Sequence, residues 1–292
     1  KNLEKTFGTL HALQGVSFGI PQGRCVSLLG PNGAGKTTTM RMIMGLSSPT
    51  RGTLNVFGYP AHALSQKNKA RIGLVPQEDN LDMDLSVQQN LWIYGHYYGL
   101  PKSYLNIRVP ELLRFMALTE KSDADVMSLS GGMKRRLIIA RALIADPEII
   151  ILDEPTTGLD PQARVMIWNL LNGLKKSGKT LLLTTHYMDE AQRLSDHIII
   201  IDEGKILDEG TPKALIKRHV ARTVLEVDGA HISNKALKKA LRYEHVGDGY
   251  LIYTDTPLEI TTELAPQAEY LQRSANLEDV FLCLTGRRLR EN

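Results

Sequence analysis

Short apolar runs, separated by polar or glycine-rich segments, dominate the pattern of this chain. EIIILDEP (148–155) and TLLLTTH (180–186) each contain an apolar core of strand length. Such runs are typical of strands buried in a parallel sheet, because helices cover both faces of the sheet there. RIGLV (71–75) predicts another short strand, which ends before Pro76.

Turn and cap signals connect these strands. LHALQGVSFGI and CVSLLG predict two strands joined by the Pro/Gly turn PQGR, and Glu203-Gly204 predicts a hairpin between HIIIID and KILDEG. Asp160-Pro161 predicts a helix start, since a capping residue precedes Pro at the first helical position, and Thr-Pro at 211–212 predicts another. The alternation of strands and helices through 1–215 favours an α/β fold with a largely parallel sheet.

The pattern changes after about Val220. TVLEV, YLIYT and AEYLQ predict strands, and they alternate with the helical stretches NKALKKALR, PLEITTEL and LEDVFLCLT. We therefore expect two domains: residues 1–219, which contain a helical part at about 78–147, and a small C-terminal α/β domain at 220–292.

Composition narrows the function classes. With 35 Lys and Arg against 32 Asp and Glu, the formal charge is only +3, too small to indicate a nucleic-acid partner. The apolar runs fall far below the roughly 20 residues of a membrane span. We expect Cys25 and Cys283 to be small buried residues in a reducing cytoplasm. No signal peptide opens the chain, and because it begins at Lys1 without Met we expect a trimmed N-terminus.

A glycine-rich loop carries the strongest chemical signal. Residues 30–37 match G-x-x-x-x-G-K-[ST] at every required position, and a strand before and a helix after them favour a phosphate cradle over an ordinary turn. Lys36 is expected against the β- and γ-phosphates, and the Thr37 hydroxyl on Mg²⁺. The predicted nucleotide contacts of this loop are Gly30, Pro31, Asn32, Gly33, Ala34, Gly35, Lys36, Thr37 and Thr38.

Two acids follow the apolar run at 149–152. Because ligands bind at the carboxyl ends of strands in α/β sheets, Asp153 is expected to hold Mg²⁺ through water. Glu154 is expected to polarise a water for attack on the γ-phosphate. Adjacent acids at a strand end can also be simply solvated, but the glycine loop favours the catalytic interpretation.

A third segment, Leu129-Ser130-Gly131-Gly132, precedes a helix that is apolar nearly all round after its first turn. Alone, Ser130 would be a plain helix cap or an anion site. In series with the loop and the acidic strand, it makes residues 1–215 resemble the nucleotide-binding subunit of an ATP-binding cassette (ABC) transporter. The resemblance implies a P-loop NTPase cassette, with a parallel-sheet core, antiparallel strands and an inserted helical subdomain.

The resemblance also implies roles for further residues. In the family, the LSGG segment completes the ATP site of a facing copy, so two chains enclose two ATP molecules head to tail. Gln77 matches a glutamine that contacts Mg²⁺ and the attacking water, and His186 matches a histidine that contacts the γ-phosphate. Asp160 lies in the segment that matches the D-loop, although it is also a plain helix cap. Phe7 occupies the place of an aromatic residue that stacks on adenine.

Three classes of ABC protein remain as alternatives. Ribosome-associated ATPases normally carry two cassettes, and chromosome ATPases place a long coiled coil between the loop and the acidic strand. This chain has one cassette, and only residues 39–148 separate those motifs, without sustained heptads. We therefore expect the ATPase subunit of a transporter, at the cytoplasmic face of a bacterial membrane.

The direction of transport rests on the C-terminal segment. LEDVFLCLTGRRLRE (277–291) resembles the ending of ATPases in the ABC-2 export group, which handles drugs, antibiotics and nodulation lipo-oligosaccharides. Arg287, Arg288 and Arg290 can equally form a solvated basic end, and an importer ATPase stays the alternative. An integral membrane permease is the implied partner. Its cytoplasmic helix would dock near the aromatic residues Trp92, Tyr94, Tyr97 and Tyr98, for which core packing is the alternative.

Overall fold

The computed structural model describes residues 1–228, 232–265 and 268–286, so Arg287, Arg288 and Arg290 lie outside the described residues. Two compact units divide the chain, Lys1–Glu209 and Gly210–Asn292. Among the described residues, no helix combines the length and the apolar content that crossing a membrane requires.

The first unit contains ten strands and seven α-helices among its described residues. The strands are β1 (Leu3–Phe7), β2 (Leu10–Val16), β3 (Cys25–Leu29), β4 (Asn55–Val56), β5 (Tyr59–Pro60), β6 (Ile72–Val75), β7 (Ile149–Asp153), β8 (Thr180–Thr185), β9 (His197–Asp202) and β10 (Lys205–Gly210). The helices are α1 (Lys36–Ile43), α2 (Gln66–Lys69), α3 (Val87–Tyr97), α4 (Lys102–Phe115), α5 (Gly131–Ala142), α6 (Pro161–Lys176) and α7 (Met188–Leu194).

A six-stranded sheet with the order β10-β9-β3-β8-β7-β6 forms the centre of this unit. The pairs β9–β3, β3–β8, β8–β7 and β7–β6 are parallel, which confirms the predicted parallel core. Every residue of β3 and β8 is buried, including Cys25. The strands therefore end together at one edge of the sheet, and the loops that follow β3, β6, β7 and β8 meet there.

The sequence pattern predicted some of the outer elements of this unit but not others. The hairpin of β9 and β10 is present, and Asp160 caps α6 by accepting a hydrogen bond from the Ala163 N–H. The antiparallel pair β1–β2 adds a strand that was not predicted, because only one of its five residues is buried. The helical part contains α3, α4 and α5, with a break between Tyr98 and Pro101 as predicted.

The second unit is a four-stranded antiparallel sheet with helices. Its elements are α8 (Pro212–His219), β11 (Thr223–Asp228), α9 (Asn234–Lys239), β12 (Arg242–Val246), β13 (Gly249–Thr254), α10 (Pro257–Thr261), β14 (Tyr270–Ser274) and α11 (Leu277–Thr285), with the strand order β12-β13-β11-β14. Cys283 lies half-buried in α11.

Two details of the second unit differ from the sequence predictions. The unit begins at Gly210, earlier than the predicted boundary after residue 219, because α8 packs against α11 of the same unit. The helix predicted through Arg242 was wrong at its end. Helix α9 stops at Lys239, since Ala240 is extended and the following residues pair with β13 as β12.

Candidate functional site

The glycine loop connects the carboxyl end of β3 to the N-terminus of α1. Gly35 has a φ of 103°, and a Cβ atom at this position would lie 2.7 Å from the Ala12 carbonyl oxygen. A Cβ atom at Gly30 would lie 2.0 Å from the Ile201 carbonyl oxygen. Both positions therefore require glycine, which lets the loop pass closely against β2 and β9.

Lys36 lies buried in the hollow of this loop. Its ammonium group donates hydrogen bonds to the carbonyl oxygens of Gly30 at 2.7 Å and Pro31 at 2.9 Å. The same nitrogen lies 3.9 Å from Oε1 of Glu154. Burial lowers the pKa of Lys36, while the charges of Glu154 and Asp153 oppose that shift. The site therefore holds a desolvated cation against its two acids.

Asp153 and Thr37 meet where β7 faces α1. Oδ2 of Asp153 accepts a hydrogen bond of 3.4 Å from the Thr37 hydroxyl, and Oδ1 accepts one from the Thr184 hydroxyl. A carboxylate and a hydroxyl are oxygen donors that suit Mg²⁺, which usually keeps waters and takes its remaining ligands from phosphates. In the described ranges, no group of three or more His, Cys, Asp or Glu could hold a metal ion, so a metal here would need water and phosphate ligands as well.

Glu154 has an unusual backbone and a crowded carboxylate. Its φ is 45°, in the left-handed region that non-glycine residues seldom adopt, and its N–H donates to the Thr184 carbonyl oxygen at 3.1 Å. Oε2 accepts a hydrogen bond of 3.0 Å from the Thr157 hydroxyl. Burial raises the pKa of Glu154, but His186, Lys36 and Thr157 together hold it below the ordinary value. The buried carboxylate is therefore ionised and can accept a proton.

His186 follows β8 and approaches the same carboxylate. Its Nδ1 atom lies 3.1 Å from Oε2 of Glu154. No hydrogen bond of acceptable geometry joins Nδ1 to a partner, and the contact is an ion pair only when the imidazole is protonated. The ring lies 4.1 Å from that of Tyr187, measured between centroids. The histidine is thus held at the site while one ring nitrogen stays available to a ligand.

A cavity of about 480 Å³ opens beside these groups. Phe7 lines it and is 50% exposed, with the Lys5 ammonium 4.8 Å from the ring centroid. The cavity brings together predicted residues from the loop, the strand ends and β1. Those residues are Phe7, Asn32, Gly33, Gly35, Lys36, Thr37, Thr38, Gln77 and Glu154.

The residues of the LSGG segment and Asp160 do not line this cavity. Ser130 caps α5 by accepting a hydrogen bond of 3.3 Å from the Met133 N–H. A Cβ atom at Gly132 would lie 2.9 Å from the Cβ atom of Ala163 near the start of α6, so the two helix N-termini approach closely. Ser130, Gly131, Gly132 and Asp160 thus share a neighbourhood outside the single-chain pocket.

One buried carboxyl group of the site region was not predicted. Glu190 on α7 is fully buried, and its Oε1 accepts hydrogen bonds from the Thr156 hydroxyl at 2.7 Å and from the Trp168 indole N–H at 3.1 Å. It thereby links the helix after His186 to α6 and to the segment after Glu154. Nothing in the local sequence distinguishes Glu190 from the exposed Asp189 beside it except its apolar neighbours.

Comparison with known protein families gives two matches. A family described as "ABC transporter" matches residues 13–157, and one described as "Nodulation factor export protein NodI, C-terminal domain" matches residues 230–286.

Full-length relatives agree with both matches. "Nod factor export ATP-binding protein I" of Ralstonia nicotianae is 47% identical, covering 100% of this chain and 94% of that protein. The protein of the same description from Cupriavidus metallidurans is 46% identical, covering 100% of this chain and 98% of the relative.

Solved structures give the same picture for the cassette. A structure described as the ATP-binding subunit of an ABC transporter has a TM-score of 0.67 and 31% identity, and covers 75% of this chain and 91% of that one. A dimeric ATP-binding cassette in a post-hydrolysis state, bound to ADP and Pi, has a TM-score of 0.65 and 30% identity, covering 72% of this chain and 97% of that chain.

The buried Glu190 generates a pH prediction. Burial raises its pKa above the ordinary value of 4.5, although hydrogen bonds from Thr185, Thr156 and Trp168 oppose this. The folded chain then keeps a proton that the unfolded chain releases, so the free energy of unfolding falls as pH rises above the unfolded-state pKa. Glu190→Gln should reduce that fall between about pH 5 and 8.

Urea unfolding at several pH values, followed by tryptophan fluorescence, measures this slope, since Trp92 and Trp168 both lie in the first unit. Glu148→Gln is the matched control. Hydrogen bonding to Arg71 lowers the pKa of Glu148, so its titration lies below the measured window. Equal slopes for wild type and Glu190→Gln would contradict the raised pKa.

Proposed function

We infer the function from the family: the chain belongs to the ATP-binding subunits of ABC transporters, and it is the ATPase subunit of an exporter. The observation that carries this conclusion is the span of the similarity. The cassette match points to ABC transporters, while the C-terminal match and the full-length identities point to export ATPases.

For the exported substrate we propose a lipo-oligosaccharide of the Nod factor type. Relatives that carry the Nod factor export description align over the whole chain, including the small C-terminal unit. An acylated oligosaccharide has a membrane-soluble chain and a polar head. Its recognition would fall to a membrane subunit, while this chain would supply the work of ATP hydrolysis.

At the nucleotide site, we propose that the loop and Lys36 hold the phosphates and that Phe7 stacks on adenine. Thr37 and Asp153 would hold Mg²⁺, which neutralises phosphate charge when bound. The 3.4 Å hydrogen bond between these two side chains supports a shared ligand. Their oxygens fit the ion without a further protein cage.

The attack on the γ-phosphate would use the groups around the buried acid. Glu154 would take a proton from water, since His186 and Lys36 keep its carboxylate ionised. Gln77 would orient the water, and His186 would contact the γ-phosphate through the ring nitrogen that Glu154 does not face. The left-handed backbone at Glu154 supports a functional constraint at this residue.

A second copy of the chain would complete each site. Ser130, Gly131 and Gly132 lie at the N-terminus of the twelve-residue helix α5 but outside the single-chain cavity, which supports their use by the partner's nucleotide. Asp160 would contribute from the neighbouring start of α6. A structurally similar ATP-binding cassette is a dimer bound to ADP and Pi. Its dimeric state supports the proposed head-to-tail dimer around two nucleotides.

The transporter also needs a membrane subunit, and we propose that it docks beside Gln77 at the cytoplasmic face of a bacterial membrane. Leu46 and Leu74 are 68% and 37% exposed, and both line a cavity of about 310 Å³ that includes Gln77. Of the aromatic residues of α3, Trp92 packs against the core. Tyr97 is 75% exposed and supports the docking prediction for this region. A cassette of similar structure belongs to a transporter complex in Clostridium perfringens.

The composite site predicts complementation between two inactive chains. Lys36→Ala removes the loop cation, so it should lose ATP affinity, whereas Ser130→Arg should bind ATP on the single chain yet fail to hydrolyse it. In a mixed dimer, the Ser130→Arg chain supplies an intact loop and the Lys36→Ala chain an intact LSGG segment. Equal mixing should then restore about one quarter of the wild-type ATPase rate.

The rate at several mixing ratios, with each variant alone as the control, measures this recovery. Activity that stays absent at every ratio would count against a head-to-tail dimer with independent sites. Unchanged ATP affinity of Lys36→Ala would instead count against the loop assignment.

The proposed substrate predicts a change in where acylated oligosaccharides accumulate. Lys36→Ala at the chain's own locus should move them from the medium into the cells, because transport loses its ATP step. Mass spectrometry of extracts from medium and cells measures the distribution. Lys67→Ala, which removes an exposed cation from α2, is the control. An unchanged distribution together with altered drug tolerance would overturn this substrate and leave the ATPase assignment intact.

A further inference from the structure

Arg135 is a buried charge inside α5, five positions after Ser130. Its side chain is 4% exposed, and beyond the first turn it shares α5 with mainly apolar residues and two further arginines, Arg136 and Arg141. Nη1 donates hydrogen bonds to the carbonyl oxygens of Pro76 at 2.5 Å and Gln77 at 3.4 Å. The guanidinium group therefore holds the backbone of the segment that carries Gln77.

The same guanidinium group holds the segment that carries Glu154. Nη2 donates to the carbonyl oxygens of Asp153 and Glu154, each at 3.1 Å, and Nε donates to that of Pro155 at 2.6 Å. One side chain thus joins five carbonyl oxygens from two segments that are far apart in sequence.

No carboxylate in the described part of the chain forms a salt bridge with this guanidinium group. The dipoles of the backbone carbonyl groups therefore stabilise its charge. Burial lowers the pKa of Arg135, and the more distant acids Asp79, Glu190 and Asp153 oppose that shift. A lysine could not reproduce the arrangement, because it has three N–H donors on one atom where arginine has five in a rigid fork.

Helix α5 is the fixed partner in these contacts. Leu137, Ile138 and Ile139 are fully buried in the largest apolar cluster of the first unit. In the segment after β7, the N–H groups of Glu154, Thr157 and Leu159 form backbone hydrogen bonds, while the carbonyl oxygens of Asp153, Glu154 and Pro155 accept from Arg135. Loss of Arg135 would therefore release the loops rather than move the helix.

We propose that Arg135 is a positioning residue that fixes Gln77 and Glu154 of the chain's own nucleotide site against α5. The proposal rests on the roles proposed for those two residues. It adds that one guanidinium group joins both segments, acts through their backbone carbonyls and does not touch the nucleotide.

Arg136 offers a matched control on the same helix. Its guanidinium group also donates to backbone carbonyls, those of Met116 at 2.6 Å and Ala117 at 3.1 Å after α4. Burial lowers the pKa of Arg136 as well. The two arginines therefore share chemistry and helix, but only Arg135 contacts the segments of the site.

Arg135→Lys should lower kcat of the full chain by about 10- to 100-fold, because the water and its base lose their alignment. The affinity of the single chain for ATP should stay within about twofold, since the loop and Lys36 are untouched. Arg136→Lys should keep the wild-type kcat, even where its melting temperature falls by as much as that of Arg135→Lys. If the lysine variant does not fold, Arg135→Gln keeps two N–H donors without a buried charge and is expected to give the same loss of kcat.

Mixed dimers with a single working nucleotide site show which chain's Arg135 that site requires. In the dimer of Ser130→Arg with Lys36→Ala, Arg135→Lys is added either to the chain that supplies the intact loop or to the chain that supplies the intact LSGG segment. We expect the larger loss of rate in the first placement, because Gln77 and Glu154 of that chain serve the working site.

Two results would overturn the proposal: a kcat of Arg135→Lys equal to that of Arg136→Lys, or a loss in the mixed dimer that is equal in both placements or larger in the second. Failure of the proposed composite site is distinguishable, because the parent mixed dimer would then be inactive. The kcat and ATP affinity of the unmixed Arg135→Lys chain would still decide the role of Arg135.

Discussion

Parallel pairing of β3 with β8, and of β8 with β7, brings the carboxyl ends of these strands to one edge of the sheet. The glycine loop leaves β3 there, the two acids leave β7, and His186 leaves β8. Because the strands are buried and in register, the groups at their ends meet in a small space that is partly shielded from water. Opposite charges 3.9 Å apart, on Lys36 and Glu154, are the electrostatic centre of that space.

Such a site is costly to build, and neighbouring groups offset the cost. Burial alone disfavours both a cationic Lys36 and an anionic Glu154, so each depends on partners. Loop carbonyls receive the ammonium group, while Thr157 and His186 approach the carboxylate. Arg135 donates hydrogen bonds to the backbone of the acidic segment, and Glu190 connects the helix after His186 to α6 by accepting from Trp168. The proposed catalytic groups thus depend on buried polar side chains that need not touch the nucleotide.

The sequence predicted this site where a local pattern determines a local geometry. Gly30, Lys36 and Thr37 follow from the loop motif, and Asp153 follows from an apolar strand that ends in acids. Arg135 and Glu190 could not be predicted in this way, because their partners lie on other segments and become neighbours only in the fold. The helix predicted from Asn234 ran too far, into Arg242, because residues from Arg242 onward pair with β13 as β12. Beyond capping α5, the role proposed for Ser130 requires a second chain.

The central claim is that Glu154 acts as the base for ATP hydrolysis, and Glu154→Gln tests it most directly. Glutamine keeps the size of the side chain and a hydrogen bond but cannot accept the proton of water. The account predicts a rate loss of about 10²–10⁴-fold with ATP binding retained. It also predicts an ATP-bound dimer by size exclusion, under conditions where wild type stays mostly monomeric. Hydrolysis by Glu154→Gln at the wild-type rate would contradict the account.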